Sequence, residues 1–226
     1  MEISGVEIED TFAEGFPIKV ARVLITAITE RWAMEAAREA TGFGTSVIMC
    51  PAEAGIERLA RRAETPDGRP GVYIQICNMS FKNLEASLLA RIGQCVLTAP
   101  TTAVFNGLPE AEKQFDTGAK LKFFGDGFQK EMAYCDRGVC SIPVMSGDFI
   151  VEEKMGAVDG IAGGNFYIMA ENQAAALMAA EAAVEAIPEE EGTNRPHFAE
   201  VSPHRIENDQ SPKAVLRQPT GTLKTF

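Results

Sequence analysis

The sequence predicts an α+β fold, from the type and order of the segments in its first hundred residues. Two runs rich in β-branched residues, "KVARVLIT" at 19–26 and "GVYIQIC" at 71–77, each predict a strand. A helix follows each run: Thr29 is the N-cap of a helix that ends near Gly42, and Ser80 is the N-cap of a helix with apolar residues three and four positions apart. Both helices are therefore expected to cover a sheet.

The segments between these strands and helices complete the predicted order of elements. "TSVIMC" at 45–50 predicts a second strand, and 52–62 predicts a short helix. "ETPDGRPG" at 64–71 is dense in turn-forming residues and predicts an exposed loop, and "CVLTA" at 95–99 predicts a fourth strand. The order strand, helix, two strands, helix, strand is typical of a split βαβ, ferredoxin-like sandwich.

The pattern divides the chain into two lobes and a tail. Residues 1–146 form the predicted first lobe, and 147–191 begin a second lobe in which a strand at 163–170 precedes a helix capped by Asn172. Because the repeat of the first lobe is not completed, we expect an incomplete second lobe. Residues 192–226 have no helical or strand periodicity and hold both histidines, so we predict an irregular tail there.

A hairpin is predicted within 120–145, with its turn at Asp136-Arg137-Gly138. Cys135 and Cys140 flank this turn, so the two thiols could face each other if the strands pair. Two cysteines without a nearby histidine make a poor zinc site, and we predict no metal. The five cysteines form no CxxC pair and no export signal precedes them, which predicts reduced thiols in the cytoplasm.

Charge and hydropathy narrow the classes of partner. The formal net charge is −11 and no basic patch is evident, which argues against nucleic acid and anionic membranes as partners. No apolar run is long enough to cross a bilayer. Nucleic acid and membranes are therefore not expected as partners.

The stretch "SVIMCPAEAGIER" at 46–58 allows three roles for Cys50: nucleophile, metal ligand, or the last buried residue of a strand. A catalytic thiol needs a base, and both histidines lie in the predicted tail, so the structural role is favoured and the nucleophile stays an alternative.

Loops of small residues at 49–57, 98–113 and 159–166 favour a substrate cleft, although they could also be ordinary connections.

Longer segments carry a specific resemblance. "GVEIEDTFAEGFPIKVARVLITA", "ATGFGTSVIMCPAEAGIERLA" and "RIGQCVLTAPTTAVFNGLPEAEKQFDTGAKLKFFGDG" resemble the formylmethanofuran:tetrahydromethanopterin formyltransferases of methanogenic archaea. They are also similar to a subunit of the bacterial formyltransferase/hydrolase complex, although the archaeal form is closer. The resemblance runs from residue 1 to about residue 192.

The resemblance implies two α+β lobes per subunit and homo-oligomers, dimers or tetramers, with active sites at subunit contacts. It implies transfer of a formyl group from methanofuran to N5 of tetrahydromethanopterin, two coenzymes that act as substrates, with no metal and no permanently bound cofactor. Attack by N5 on the formamide carbon forms a tetrahedral oxyanion, and the methanofuran amine leaves protonated. Such a site needs N–H donors, a proton-carrying group and tight positioning of both substrates.

The resemblance also implies residues that line the cleft. They are Pro51, Glu53, Gly55, Glu57, Gln94, Thr98, Pro100, Thr101, Asn106, Gly163, Gly164 and Asn165. The family's acid–base glutamate belongs to the C-terminal lobe and is carried onto no residue here, neither Glu200 nor Glu207, so the catalytic residue is unassigned.

Two expectations concern the tail. A shortened paralogue, or a reading frame that slipped near codon 192, would each give a family-like body with a foreign end, and the abrupt change in composition favours the slip.

The alternative function is a non-catalytic protein that assembles with, or regulates, a full-length formyltransferase.

Overall fold

The computed structural model describes residues 2–3, 5–8, 15–162, 167–186, 200–202 and 214–217 of the chain. Two short strands, β1 (Glu2–Ile3) and β2 (Val6–Glu7), form an antiparallel pair near the N-terminus. The next elements are β3 (Phe16–Thr26), α1 (Glu30–Thr41), β4 (Glu53–Ala60), β5 (Gly71–Asn78), α2 (Phe81–Arg91) and β6 (Ala103–Asn106).

These six elements form a split βαβ unit. The four strands lie side by side in the order β4-β5-β3-β6, and each neighbouring pair is antiparallel. Each helix connects two strands between which another strand is inserted, as the split βαβ order requires. The predicted α+β sandwich is confirmed.

Further strands extend this sheet. They are β7 (Lys113–Phe115), β8 (Lys130–Tyr134), β9 (Arg137–Val144), β10 (Gly147–Glu152) and β11 (Met155–Ala162), with the short helix α3 (Thr117–Leu121) after β7. β10 pairs in parallel with β6, and the hairpins continue the sheet through β9 to β8. β11 pairs with both β3 and β7, so nine described strands belong to one sheet.

A second sheet has the order β12-β14-β13. Its strands are β12 (Tyr167–Ala170), β13 (Glu200–Ser202) and β14 (Ala214–Arg217), and α4 (Gln173–Glu185) follows β12. Ala176 and Ala180 of α4 pack against Ile168 and Ala170. Two of these strands lie within 192–226, where irregular chain was expected. The domain bounds themselves stay predictions.

Helices α1 and α2 pack on one face of the large sheet. α1 contributes an alanine face (Ala33, Ala36, Ala37, Ala40) and α2 contributes Leu84 and Leu88, all of them buried. They pack against alternate residues of the central strands, Ala21, Val23, Ile25, Val72, Ile74 and Ile76. Since side chains alternate along a strand, the residues between these point to the opposite face of the sheet.

The three predicted helix caps are confirmed. The side chain of Thr29 accepts a hydrogen bond from the backbone N–H of Trp32, and Ser80 accepts from Asn83. Asn172 accepts in the same way from Ala175.

In the described part of the chain no helix has the length and apolar character needed to cross a membrane.

The predicted strand at 45–50 is wrong, because this segment is a turn. Ile48 and Met49 are 82% and 84% exposed, and the backbone N–H of Cys50 donates to the carbonyl of Ser46. The guanidinium of Arg91 donates to the carbonyls of Gly42 and Phe43, at 2.9 and 3.2 Å. A cation from α2 therefore fixes the chain where a strand would have begun.

The predicted helix at 52–62 is also wrong. Most of it is strand β4, which pairs with β5, and a short 3₁₀ turn at Arg62–Glu64 follows. Hydrogen bonding to β5 outweighs the helix propensity of this glutamate- and alanine-rich segment.

A third prediction is wrong at 95–99. α2 continues into a π-helical turn at Ile92–Val96, so no strand begins at Cys95. Ile92 and Val96 are both completely buried, so the extended helix keeps its apolar face on the core.

The predicted hairpin is confirmed as β8 and β9, but its two-residue turn is Cys135-Asp136. Both turn residues have positive φ, 51° and 60°, which is the geometry of a type I′ turn. Cys140 lies opposite Glu131 in the register and is buried, whereas Cys135 is exposed. The two thiols therefore do not face each other.

Candidate functional site

Three of the predicted cleft residues lie on strand β4. Glu53 pairs with Cys77 and Gly55 pairs with Gln75, so both occupy the sheet face opposite the helices. Glu57 sits at an irregularity of the register between Ile56 and Arg58, a β-bulge. Most of the segment predicted as a short helix at 52–62 is thus part of the sheet.

Pro51 precedes this strand and is exposed. Its carbonyl accepts hydrogen bonds from the side chains of Asn78, at 2.7 Å, and Ser87, at 3.2 Å. These bonds connect the start of β4 to the end of β5 and to α2. Pro51 therefore fixes where the strand begins.

Glu57 forms a buried ion pair with Arg22. Arg22 Nε donates to Oε2 and Nη2 donates to Oε1, both at 2.8 Å, and the two side chains are only 8% and 1% exposed. Gln75 Nε2 adds a third hydrogen bond to Oε2 at 3.1 Å. The ring of Tyr73 lies under the Arg22 guanidinium at 4.0 Å. Because both carboxylate oxygens accept bonds, Glu57 joins β4 to β3 and β5.

Glu53 has a different environment. Burial raises the pKa of its carboxyl group, and a hydrogen bond from the backbone N–H of Val47, at 3.3 Å, opposes the rise only in part. A carboxyl group with a raised pKa holds its proton closer to neutral pH, which is the property required of a proton donor.

The segment 92–102 holds four more of the predicted residues: Gln94, Thr98, Pro100 and Thr101. Gln94 and Thr98 are exposed. Thr98 Oγ1 donates to the carbonyls of Gln94 and Cys95, and the buried hydroxyl of Thr102 donates to those of Val96 and Ala99, at 2.7 and 3.0 Å. Threonine hydroxyls thus satisfy the carbonyls at the end of the π-helical turn.

Thr101 has a strained backbone with φ +65°, a region that β-branched residues avoid. Such a conformation costs about 1–3 kcal/mol and persists only where the surroundings hold it. Its carbonyl accepts from Arg69 Nη1 at 2.7 Å, its Oγ1 accepts from the N–H of Ile28 at 3.3 Å, and its N–H donates to Ser146 Oγ at 3.4 Å. Three separate loops hold this residue.

Asn106 is buried at the end of β6 and acts as a structural junction. Its Oδ1 accepts from the backbone N–H groups of Leu108 and Gly156, both at 2.9 Å, and its Nδ2 donates to Gln114 at 3.2 Å. Its own N–H donates to Glu152 at 2.8 Å. These contacts hold β6, β7, β10 and β11 together.

The structure brings the predicted residues together in three groups. Pro51 precedes β4, and Glu53, Gly55 and Glu57 lie on it; the second group occupies 92–102, and Asn106 lies at the end of β6. Among the described contacts, no hydrogen bond joins one group directly to another. Gly163, Gly164 and Asn165 lie outside the described residues, and the role of the whole set in substrate binding stays a prediction.

Sequence reasoning missed Arg22, Gln75 and Arg69. A signal existed for Arg22, because a charged residue interrupts the apolar run "KVARVLIT". Gln75 interrupts "GVYIQIC" in the same way, and the buried Oε1 atom of its side chain has no hydrogen-bond partner among the described residues. Arg69 lies in a turn-rich loop, where nothing marked its side chain as buried in part.

Cys50 is not a strand-end residue but part of the turn before β4. Hydrogen bonds from the backbone N–H of Ser46 and from the hydroxyl of Thr45 lower the pKa of its thiol, and the Arg91 charge adds to this effect.

Across the described ranges, no three His, Cys, Asp or Glu side chains gather as a metal-binding group.

The fold and these polar groups define a class of α+β protein in which a split βαβ sheet carries buried charged groups on the face opposite its helices. Comparison with known proteins gives the family. The model of the formylmethanofuran-tetrahydromethanopterin formyltransferase family matches residues 1–144, and that of its proximal lobe matches 147–203. The chain therefore belongs to the formylmethanofuran-tetrahydromethanopterin formyltransferase family.

Individual relatives agree with this assignment. The formyltransferase of Methanosarcina mazei is 68% identical over 196 residues, which cover 87% of this chain and 66% of the relative. That of Archaeoglobus fulgidus is 66% identical over the same coverage. The chain thus spans slightly less than two thirds of the length of these relatives.

Two solved structures share the fold. The formyltransferase from Methanosarcina barkeri superposes with a TM-score of 0.88 at 54% identity, covering 100% of this chain and 86% of that one. The formyltransferase/hydrolase complex from Methylorubrum extorquens with methylofuran gives 0.81 at 34% identity, covering 97% and 83%.

Proposed function

We propose that this protein transfers a formyl group from formylmethanofuran to N5 of tetrahydromethanopterin. The observation that carries the proposal is the 68% identity over 196 residues with a relative named for this activity. Both coenzymes act as substrates, and the proposal includes no permanently bound cofactor. The relatives reported above are all named as formyltransferases or parts of such complexes, which does not favour a non-catalytic partner protein.

Each step of formyl transfer sets a requirement for the protein. N5 attacks the formamide carbon, the carbonyl oxygen takes up negative charge, and the methanofuran nitrogen must gain a proton before its bond to carbon breaks. The protein has to hold two large substrates in line for this attack. We propose that the predicted residues on β4 and in the 92–102 segment, with Gly163, Gly164 and Asn165, do the positioning.

The activity is tested with the purified chain, formylmethanofuran and tetrahydromethanopterin, by following formyl-tetrahydromethanopterin by chromatography. Because the chain spans 66% of the Methanosarcina mazei relative, a second form joined to the remaining C-terminal part of that relative is assayed in parallel. Reactions lacking either coenzyme are the controls. A folded extended form that transfers no formyl group would refute the proposal.

Homo-oligomerisation, as a dimer or tetramer, belongs to the same proposal. With a net charge of −11, identical subunits repel one another, and salt shortens the Debye length to about 3 Å at 1 M. Sedimentation should therefore show association that strengthens as salt is added, and association that is insensitive to salt would contradict this.

We place the protein in the cytoplasm, in keeping with its free cysteines.

The proposed frame slip near codon 192 is tested on the gene. Translating the other two frames beyond that codon should give sequence similar to the C-terminal lobe of the family. Absence of such sequence in either frame would remove the idea.

A further inference from the structure

Arg69 lies in the loop between β4 and β5 and contacts the strained residue of the 92–102 segment. We propose that Arg69 is a positioning residue of the substrate cleft, which holds the turn at Pro100–Thr102 in its binding conformation through the carbonyl of Thr101. The proposal rests on the proposed formyl transfer and adds a residue that neither the sequence patterns nor the family resemblance identified.

The contact with Arg69 is the shortest of those that hold Thr101. The Nη1 to carbonyl distance is 2.7 Å, whereas the contacts with Ile28 and Ser146 are 3.3 and 3.4 Å. A charged donor also makes a stronger hydrogen bond than a neutral one. Arg69 therefore contributes most to keeping a threonine at φ +65°.

The guanidinium of Arg69 is itself fixed. Its Nε donates to Asp67 Oδ2 at 2.7 Å, its Nη2 donates to Thr26 Oγ1 at 3.0 Å, and Thr26 Oγ1 donates to the same Asp67 oxygen at 2.6 Å. The Asp67 side chain is completely buried, and the Arg69 side chain is 26% exposed. Asp67 and Thr26, the last residue of β3, thus hold two nitrogens of this planar cation, and the third, Nη1, binds the turn.

The segment that Arg69 holds has two rare backbone features within ten residues, the π-helical turn at Ile92–Val96 and the left-handed Thr101. Both features concentrate at functional sites, because strain there is retained for a purpose other than stability. The exposed side chain of Gln94 lies in the π-helical turn, and that of Thr98 lies between this turn and Thr101. Loss of Arg69 should let the turn relax and move these groups away from the substrates.

The experiment compares Arg69→Gln, Thr101→Gly and the double variant, in the form of the protein that is active in the assay above. Glycine adopts φ +65° without strain, so Thr101→Gly should make the turn independent of Arg69. We expect Arg69→Gln to lower kcat/KM about 10- to 100-fold, mainly by raising KM for one substrate, and the double variant to recover most of this loss. The control is Arg62→Gln, an exposed arginine of the same connection with no described side-chain hydrogen bond.

The KM effect separates positioning from stability. Partial unfolding lowers the amount of active enzyme and so the apparent kcat, but it leaves KM unchanged. Hydrogen exchange at the Thr101 and Thr102 amides provides a readout without activity, and it should speed up in Arg69→Gln and not in Arg62→Gln. Unchanged KM and unchanged exchange in Arg69→Gln would overturn the role of Arg69. A folded extended form with the wild-type residues that is inactive with both coenzymes would instead refute the proposed function, whatever the exchange result.

Discussion

The guanidinium of Arg22 and the carboxylate of Glu57 meet at two points inside the large sheet, with Nε–Oε2 and Nη2–Oε1 distances of 2.8 Å. Both side chains are almost fully buried. Replacing Glu57 with alanine leaves the arginine charge without its main partner, so the free energy of unfolding should fall by about 3–5 kcal/mol. Urea denaturation measures this loss.

The control for this prediction is an exposed pair on α1, Glu35 and Arg38, whose charged atoms are 3.8 Å apart. Water screens this pair, so Glu35→Ala should change the unfolding free energy by no more than about 0.5 kcal/mol. Equal losses in the two variants would contradict the structural role of the Arg22–Glu57 pair.

Gly156 occupies a position where no side chain fits. A Cβ built on it would collide with the carbonyl oxygen of Leu108, and its backbone N–H donates to Asn106 Oδ1. Gly156→Ala should therefore destabilise the protein by about 1–3 kcal/mol, since β11 must move away from the Asn106 junction.

Thermal unfolding compares Gly156→Ala with Gly42→Ala. A Cβ on Gly42 has its nearest neighbours at 3.5 Å, an ordinary van der Waals distance. The Gly42 variant should unfold close to the wild-type temperature. If both variants unfold alike, the close approach of β11 to Leu108 is not present in solution.

Glu53 should make stability depend on pH. Burial raises the pKa of its carboxyl in the folded protein, so the folded state binds the proton more tightly than the unfolded chain does. The stabilisation is then complete below the unfolded-state pKa, about 4.3, and is lost as the pH rises through the folded-state value. Glu53→Gln, which cannot ionise, should gain stability relative to wild type over that rise.

Urea denaturation between pH 4 and 8 measures the difference between wild type and Glu53→Gln. Glu35→Gln, on the exposed side of α1, controls for the general removal of one negative charge from an acidic protein. A Glu53→Gln difference that does not grow with pH would show that the carboxyl is solvated in the folded state.

Cys50 should alkylate faster near neutral pH than Cys77, Cys95 and Cys140. Hydrogen bonds from Ser46 and Thr45 lower the pKa of its thiol, whereas burial raises the pKa values of Cys77, Cys95 and Cys140. The thiolate is the reactive form, so a lowered pKa increases the reactive fraction. Mass spectrometry after brief iodoacetamide treatment at pH 7 identifies the modified residue, and earlier labelling of Cys77 would contradict the prediction.

Local sequence signals predicted much of the fold, because they depend on neighbours a few residues apart. Thr29 and Ser80 satisfy N–H groups three residues ahead, and β3 and β5 alternate apolar residues that a sheet buries on one face. The residues of the predicted cleft came instead from the family resemblance, which says nothing about the contacts between them.

The sequence by itself therefore determined the α+β class, the helix caps and the family. Only the tertiary structure decided that 45–50 is a turn, that 53–60 is a strand and that α2 continues to Val96. In each case the deciding contacts are made with residues distant in the sequence: Arg91 binds the carbonyls before the turn, β5 pairs with β4, and Ile92 and Val96 are buried in the core that α1 and the central strands share. Arg22 with Glu57 and Arg69 with Thr101 are likewise 35 and 32 residues apart, so no local pattern carries them.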